Sequence, residues 1–153
     1  MYGIIATWRM ALEGISEAAD MLKKSADAGD SIETAIRAVE DFEFYKSVGY
    51  GGLPNEEMEV ELDAAFMDGD TLDVGCVGAI KDFANPVSIA RALSKEPVNN
   101  FLVGAGAEKY AHRHGFERKN MLTERAKIHY HNRVKETSID SELKPYSGHD
   151  TVG

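Results

Sequence analysis

A change of hydrophobic period near the start of the chain most limits what it can fold into. Tyr2 to Trp8 are apolar and rich in β-branched side chains, the pattern of a strand covered on at least one face. From Leu12 the period changes. Leu12, Ile15, Ala19, Leu22 and Ala26 recur at intervals of three and four, while Glu13, Glu17, Asp20, Lys23 and Lys24 fall largely on other faces. This spacing predicts an amphipathic helix over Met10 to Ala28, stopped by Gly29. Asp30 and Glu33 then form a capping pair for a second helix, with Ile32, Ala35, Ile36 and Val39 as its apolar stripe. That helix dissolves among Glu40, Asp41 and Glu43. An apolar strand beside two helices implies layered α/β packing.

The centre of the chain is organised differently. Ser47-Val48-Gly49-Tyr50-Gly51-Gly52-Leu53-Pro54 clusters three glycines, which permits close backbone approach and positive φ. It lacks the lysine and the strand-loop-helix spacing of a P-loop. From Glu59 polar and apolar residues alternate, and Ala64 to Met67 run into Asp68-Gly69-Asp70, a turn signal after which Leu72 to Ile80 can return antiparallel. Gly75 and Gly78 within that return mark close packing. Asn85-Pro86 opens a helix whose Val87, Ile89, Ala90 and Leu93 face the sheet, with Pro97 limiting it. Phe101 to Val103 reads as a short buried strand or extended segment, Ala105 to His114 as a helix ending at Gly115, and the stretch after Thr123 as a polar helix to about Val134. Little apolar periodicity follows, so the region from 135 reads as a surface linker.

The 153 residues suffice for one ordinary domain, and the net charge of −9 disfavours a nucleic-acid partner. The basic run from Arg125 to Lys135 is read as a solvated helix face. Cys76 is the only cysteine, which excludes an internal disulfide and a cysteine-rich metal site; it reads as a buried, inert thiol. No apolar run approaches membrane-spanning length and no basic leader precedes one, so a soluble cytoplasmic protein with no membrane partner is expected.

Asp63, Asp68, Asp70 and Asp73 are close in sequence but do not match an EF-hand, so turn capping is expected and no metal is implied. His112 and His114 are two apart, as are His129 and His131. On a helix such pairs diverge, and structural or exposed roles follow. His149, Asp150 and Thr151 offer a more specific chemistry. A threonine hydroxyl beside a strained preceding carbonyl can attack it when a base takes its proton, replacing the peptide bond by an ester that water hydrolyses. Cleavage would free the α-amine of Thr151, whose reference pKa of about 7.7–8.0 suits a base for its own hydroxyl. His149 either shapes the bend or assists proton transfer. Taken alone, the dipeptide reads first as a terminal turn, since Asp-Thr pairs occur often by chance.

Several motifs, in order, carry a resemblance. They are Thr7-Trp8; Ser47 to Pro54; Leu62-Asp63-Ala64-Ala65-Phe66-Met67-Asp68-Gly69; Thr71-Leu72-Asp73-Val74-Gly75; Leu102-Val103-Gly104; and His149-Asp150-Thr151-Val152-Gly153. Together they cover nearly the whole chain, which resembles the α-subunit region of the glycosylasparaginase family, Thr-dependent asparaginases among the N-terminal-nucleophile hydrolases. The resemblance implies a four-layer αββα fold, with this chain supplying mainly the α portion: 1–134 as that portion, 135–150 as the linker to the cleavage site, and 151–153 as the start of the β portion. It further implies autoproteolysis at Asp150-Thr151. There Asp150 promotes the N-to-O acyl shift, His149 supports it, and Thr151 serves as attacking residue and then as catalytic nucleophile. Trp8 matches the tryptophan bordering the substrate pocket, and the Ser47 to Pro54 loop a segment supporting the active site.

The implied reaction is hydrolysis of the side-chain amide of N4-glycosylated asparagine, without cofactor or metal. Implied partners are the β portion beginning at Thr151, an (αβ)2 assembly, and a small glycosylasparagine or aspartyl-amide substrate. L-asparaginase or isoaspartyl peptidase activity is the related alternative, and a noncatalytic structural subunit or fragment is the alternative of another class. Most of the β portion would lie beyond Gly153, so the α portion alone is expected to expose an apolar sheet face for association. Arg9 and Met10 stand where the family often has an aromatic residue, and Met58 where it commonly has glycine. Both departures bear on substrate breadth.

Overall fold

A computed structural model describes residues 1–139 of the chain. Strand β1 (Leu62–Met67) pairs antiparallel with β2 (Val74–Ile80), as the alternation and the Asp68-Gly69-Asp70 turn predicted. The turn is held locally. Asp68 Oδ1 accepts the N–H groups of Asp70 and Thr71 at 2.9 and 3.2 Å, and these donors hold its carboxyl below the usual range. Asp73 likewise accepts the Thr71 hydroxyl at 2.6 Å. Strand β3 (Phe101–Val103) lies parallel to β2, giving the order β1-β2-β3.

The registers divide the sheet into two unlike faces. Ala64, Val77 and Leu102 align in one row, with Phe66 beside Gly75 on the same side. Helix α3 (Pro86–Ser94) covers this face with Val87, Ile89, Ala90 and Leu93, each 1% exposed or less. Burial of that kind stabilises by about 1.5–3 kcal/mol for a large apolar side chain. Gly75 permits the contact, since a Cβ there would stand 2.0 Å from the Ala90 carbonyl oxygen and 2.3 Å from the Ser94 nitrogen. Gly78 meets only ordinary contacts, so close packing applies to the first glycine alone. Helix α4 (Ala105–Arg113), ending before Gly115 at φ 80°, adds Ala107, Tyr110 and Ala111 to the core.

The opposite face is open among the described residues. Ala65, Cys76 and Phe101 form its central row, flanked by Met67 and Val103. Met67, Phe101 and Val103 are 57%, 65% and 54% exposed, so the segment Phe101 to Val103 is a strand but not the buried one expected, because its outer residues point away from α3. An apolar open face was expected from the sequence. Cys76 departs from its predicted burial: its row points away from α3, so the thiol is half-buried.

Four sequence expectations change near the termini. Tyr2 to Trp8 is not a strand, because a strand needs a hydrogen-bonded neighbour and no described strand pairs with it. Ile4, Ile5 and Ala6 instead border an apolar groove completed by Ala11, Ile15 and Ile36. The first helix, α1 (Leu12–Lys23), follows a 3-10 turn at Arg9–Ala11 and ends earlier than predicted. Ser25 adopts φ 63°, with its N–H on Leu22 O and that of Ala26 on Met21 O, a Schellman ending.

Helix α2 (Ala28–Glu40) therefore starts one turn before the predicted cap. Asp27 is the N-cap, accepting the Asp30 N–H at 3.1 Å, and Gly29 lies inside the first turn. A Cβ at Gly29 would sit 3.0 Å from Arg91 Nη2, because Arg91 reaches from α3 to Asp30 and Glu33 at 2.6 Å each. The buried stripe of the α1 region is Ala11, Gly14 and Ala18, while Leu12 is 51% exposed. A Cβ at Gly14 would meet the Ala35 carbonyl oxygen at 2.4 Å, so the two helices approach backbone to backbone. Finally, α5 (Glu124–Ile139) starts where Thr123 Oγ1 accepts the Ala126 N–H and continues past Val134. Residues 135–139 are helical, and the rest of the predicted linker lies outside the described residues.

Candidate functional site

Beyond α2 the chain turns back onto the helix end. Phe42 packs against Phe44 and Tyr45 with ring centroids 5.4 and 4.8 Å apart, and Arg125 lies over Phe44 at 4.7 Å. The glycine-rich loop then folds over the α2 terminus. Tyr50 N–H donates to the Glu40 carbonyl at 2.7 Å and Gly51 N–H to that of Met121 at 2.9 Å. Gly49 and Gly51 have φ of 62° and 82°, and a Cβ on either would lie 2.1 or 2.5 Å from the carbonyl oxygens of Glu40 and Glu43. Here the predicted reasons for glycine, close approach and positive φ, both hold.

Glu40 is 3% exposed. Its Oε1 accepts the Val87 N–H and its Oε2 the Asn85 side-chain amide, both at 3.2 Å. Burial pushes its carboxyl up to about 8 against these donors, with Asp41 adding to the rise and Arg37 opposing it. Sequence reasoning left Glu40 as a charge at a dissolving helix end. The missed signal was its place four residues after Ile36, which puts a carboxyl on the apolar stripe of α2.

Glu40 lines a cleft of about 580 Å³ along the edge of β1 that no described strand pairs with, together with Ile36, Ser47, Val48, Asp63 and Val87. The strand register shifts between Leu62 and Ala64. Asp63 occupies that irregularity and accepts the Ala79 N–H at 2.7 Å. It caps backbone, like Asp68. His114 also has a structural setting, stacked on Tyr110 at 3.9 Å with its Nδ1 2.9 Å from Tyr110 O. Burial and the Glu96 carboxylate raise that tyrosine's phenol to about 12. His129 is held low by burial, Lys46 and Arg125.

Of the predicted site residues, Trp8 is described, whereas His149, Asp150 and Thr151 lie outside the described residues. Trp8 stands at φ 65°, ψ 145°, ahead of the 3-10 turn, and is 41% exposed. A bulky residue in that backbone region is strained by about 1–3 kcal/mol, a cost met most often at functional positions. Met58 also has a positive φ, 62°, a backbone conformation that favours glycine. Trp8 does not line the 580 Å³ cleft; it follows the segment bordering the apolar groove, and Ile36 is common to groove and cleft.

The fold and site thus define a one-sided α/β layer carrying a glycine-built loop and an open apolar sheet face. The profile of the asparaginase family matches residues 5–151, and the chain belongs to that family. It is 36% identical over 98% of its length to the N(4)-(beta-N-acetylglucosaminyl)-L-asparaginase of Elizabethkingia miricola, covering 44% of that protein. To the isoaspartyl peptidase/L-asparaginase of Rattus norvegicus it is 39% identical over 76% of its length, covering 37%. The N(4)-(beta-N-acetylglucosaminyl)-L-asparaginase of Mus musculus is 33% identical over 78% of the chain, with 34% covered. The chain therefore spans less than half the length of these relatives. No helix among the described residues is long and apolar enough to cross a membrane.

Proposed function

We propose that the protein containing this chain hydrolyses the side-chain amide of aspartyl substrates, with N4-glycosylated asparagine preferred, after cutting itself at Asp150-Thr151. One observation carries the proposal: the family match extends to residue 151, and a relative with a glycosylasparaginase name aligns over 98% of the chain. In this scheme the Thr151 hydroxyl attacks the Asp150 carbonyl, the C–N bond breaks to free the Thr151 α-amine as an ester forms, and water hydrolyses that ester to the Asp150 carboxylate and the Thr151 hydroxyl. His149 supports the bend. The free α-amine then takes the hydroxyl proton as Thr151 attacks the substrate amide carbon and passes it to the substrate's nitrogen, the amide C–N bond breaks and the substrate's amine departs, and water hydrolyses the aspartyl ester to free Thr151.

Trp8 would border the substrate pocket. The open face bearing Met67, Phe101 and Val103 supports a second sheet from the β portion, completing four αββα layers and an (αβ)2 assembly. No cofactor is called for, and the single free Cys76 is compatible with a cytoplasmic setting. Isoaspartyl peptidase or asparaginase activity is the second reading, favoured by the 39% identity to the rat relative. Intact-mass analysis of the full-length product should show two fragments divided at Asp150-Thr151, with aspartate released from a glycosylasparagine. A folded product that stays uncut and inactive overturns the proposal. Faster turnover of isoaspartyl dipeptides selects the second reading.

A further inference from the structure

The first turn of α3 has an unusual source of hydrogen bonds. Val87 N–H is among the helix's first amides, which have no intrahelical partner. The natural capping residue, Asn85, makes no side-chain bond to its own helix. Its amide donates instead to Glu40 at 3.2 Å and to Asp41 at 3.0 Å. The Val87 amide is satisfied by Glu40, which caps α3 from another helix. The same residue's carbonyl accepts the Tyr50 N–H, and its backbone leaves no room for a Cβ at Gly49.

We propose that Glu40 is the positioning residue of the cleft: its carboxyl ties the end of α2 to the first turn of α3 while its carbonyl seats the Gly49–Tyr50 turn. The Ser47–Val48 wall is thereby set opposite β1, and three elements distant in sequence share one anchor. Glu40 touches no reacting atom in this scheme. Its effect on turnover rests on the hydrolase proposal, but its effect on the cleft does not.

The experiment is hydrogen exchange by mass spectrometry on the full-length protein, comparing the unsubstituted form with Glu40→Gln and Glu40→Ala. Glutamine retains an acceptor for Val87 N–H, and Asn85 can turn its amide oxygen toward the new NH2 at the cost of its bond to Asp41. Glu40→Ala leaves Val87 N–H unsatisfied, and exchange over both 47–54 and 85–90 is expected to quicken by about ten- to a hundredfold. Glu40→Gln should restore most of the protection. Unchanged exchange in Glu40→Ala, or change in one segment only, overturns the shared anchor. If Glu40→Ala does not fold, Glu40→Gln decides: protection retained in both segments supports the proposal, and loss in either refutes it.

Turnover of a β-aspartyl amide is assayed in parallel. Its absence from the unsubstituted protein defeats the hydrolase proposal and leaves the exchange result standing. With turnover present, kcat/KM should fall roughly ten- to a hundredfold in Glu40→Ala and recover in Glu40→Gln; equal losses in the two variants refute positioning.

Discussion

Replacing Glu40 by glutamine has a calculable effect on stability as a function of pH. In the folded chain the carboxyl is neutral up to about 8, whereas in the unfolded chain it ionises near 4.5. Between those values the folded state holds a proton that the unfolded state has released. Stability therefore falls as pH rises, by about 1.4 kcal/mol per unit for this one group. The contribution is fully present below 4.5 and lost as pH rises through about 8, amounting to about 5 kcal/mol across the interval. Total domain stabilities of about 5–15 kcal/mol make this a dominant pH dependence.

Glutamine has the shape of the protonated acid and does not titrate. The remaining charges around the cleft, Arg37 and Asp41 on or beside α2 and Glu61 and Asp63 on the β1 side, are common to both proteins, so they largely cancel in the difference. Urea unfolding of the full-length product should put the two proteins within about 1 kcal/mol of each other near pH 5 and favour Glu40→Gln by about 4 kcal/mol near pH 7.5. Parallel stability curves over that range refute both the buried, neutral carboxyl and the sign of its linkage.

Three further outcomes are expected. Gly75→Ala should cost about 1–3 kcal/mol or more, read as a lowered urea midpoint, because the new Cβ would meet the α3 backbone, a contact that no side-chain rotation relieves; an unchanged midpoint contradicts the packing of α3 on β2. Thr151→Ala should leave the full-length product uncut by intact mass and without amidohydrolase turnover, and persistence of either would require another nucleophile. Phe101→Glu, on the open sheet face, should prevent assembly with the β portion, seen as a smaller species in sedimentation, since an unpaired charge cannot be buried cheaply; normal assembly would mean that this face stays in water.

The legibility of this chain follows the range of the interactions that decide each element. The β1-β2 hairpin depends on alternation and on Asp68 bonding to amides two and three residues away, all of which is local. Helix α3 is equally legible, from Pro86 at its start and four apolar residues facing one side. Where two local solutions compete, a distant residue chooses. Asp27 and Asp30 could each cap α2, and the Asp27 start places Gly29 beside Arg91, which comes from α3. Tyr2 to Trp8 has strand composition, yet strand identity belongs to a pair, and a composition cannot announce its neighbour. Glu40 is the sharpest case, since its burial and its donors are fixed by residues 45 and 47 positions later. The open face shows the same dependence in reverse. Its row of Ala65, Cys76 and Phe101 is regular by register and open among the described residues, and the β portion proposed above is the layer that would cover it; the chain itself covers 44% of the E. miricola relative.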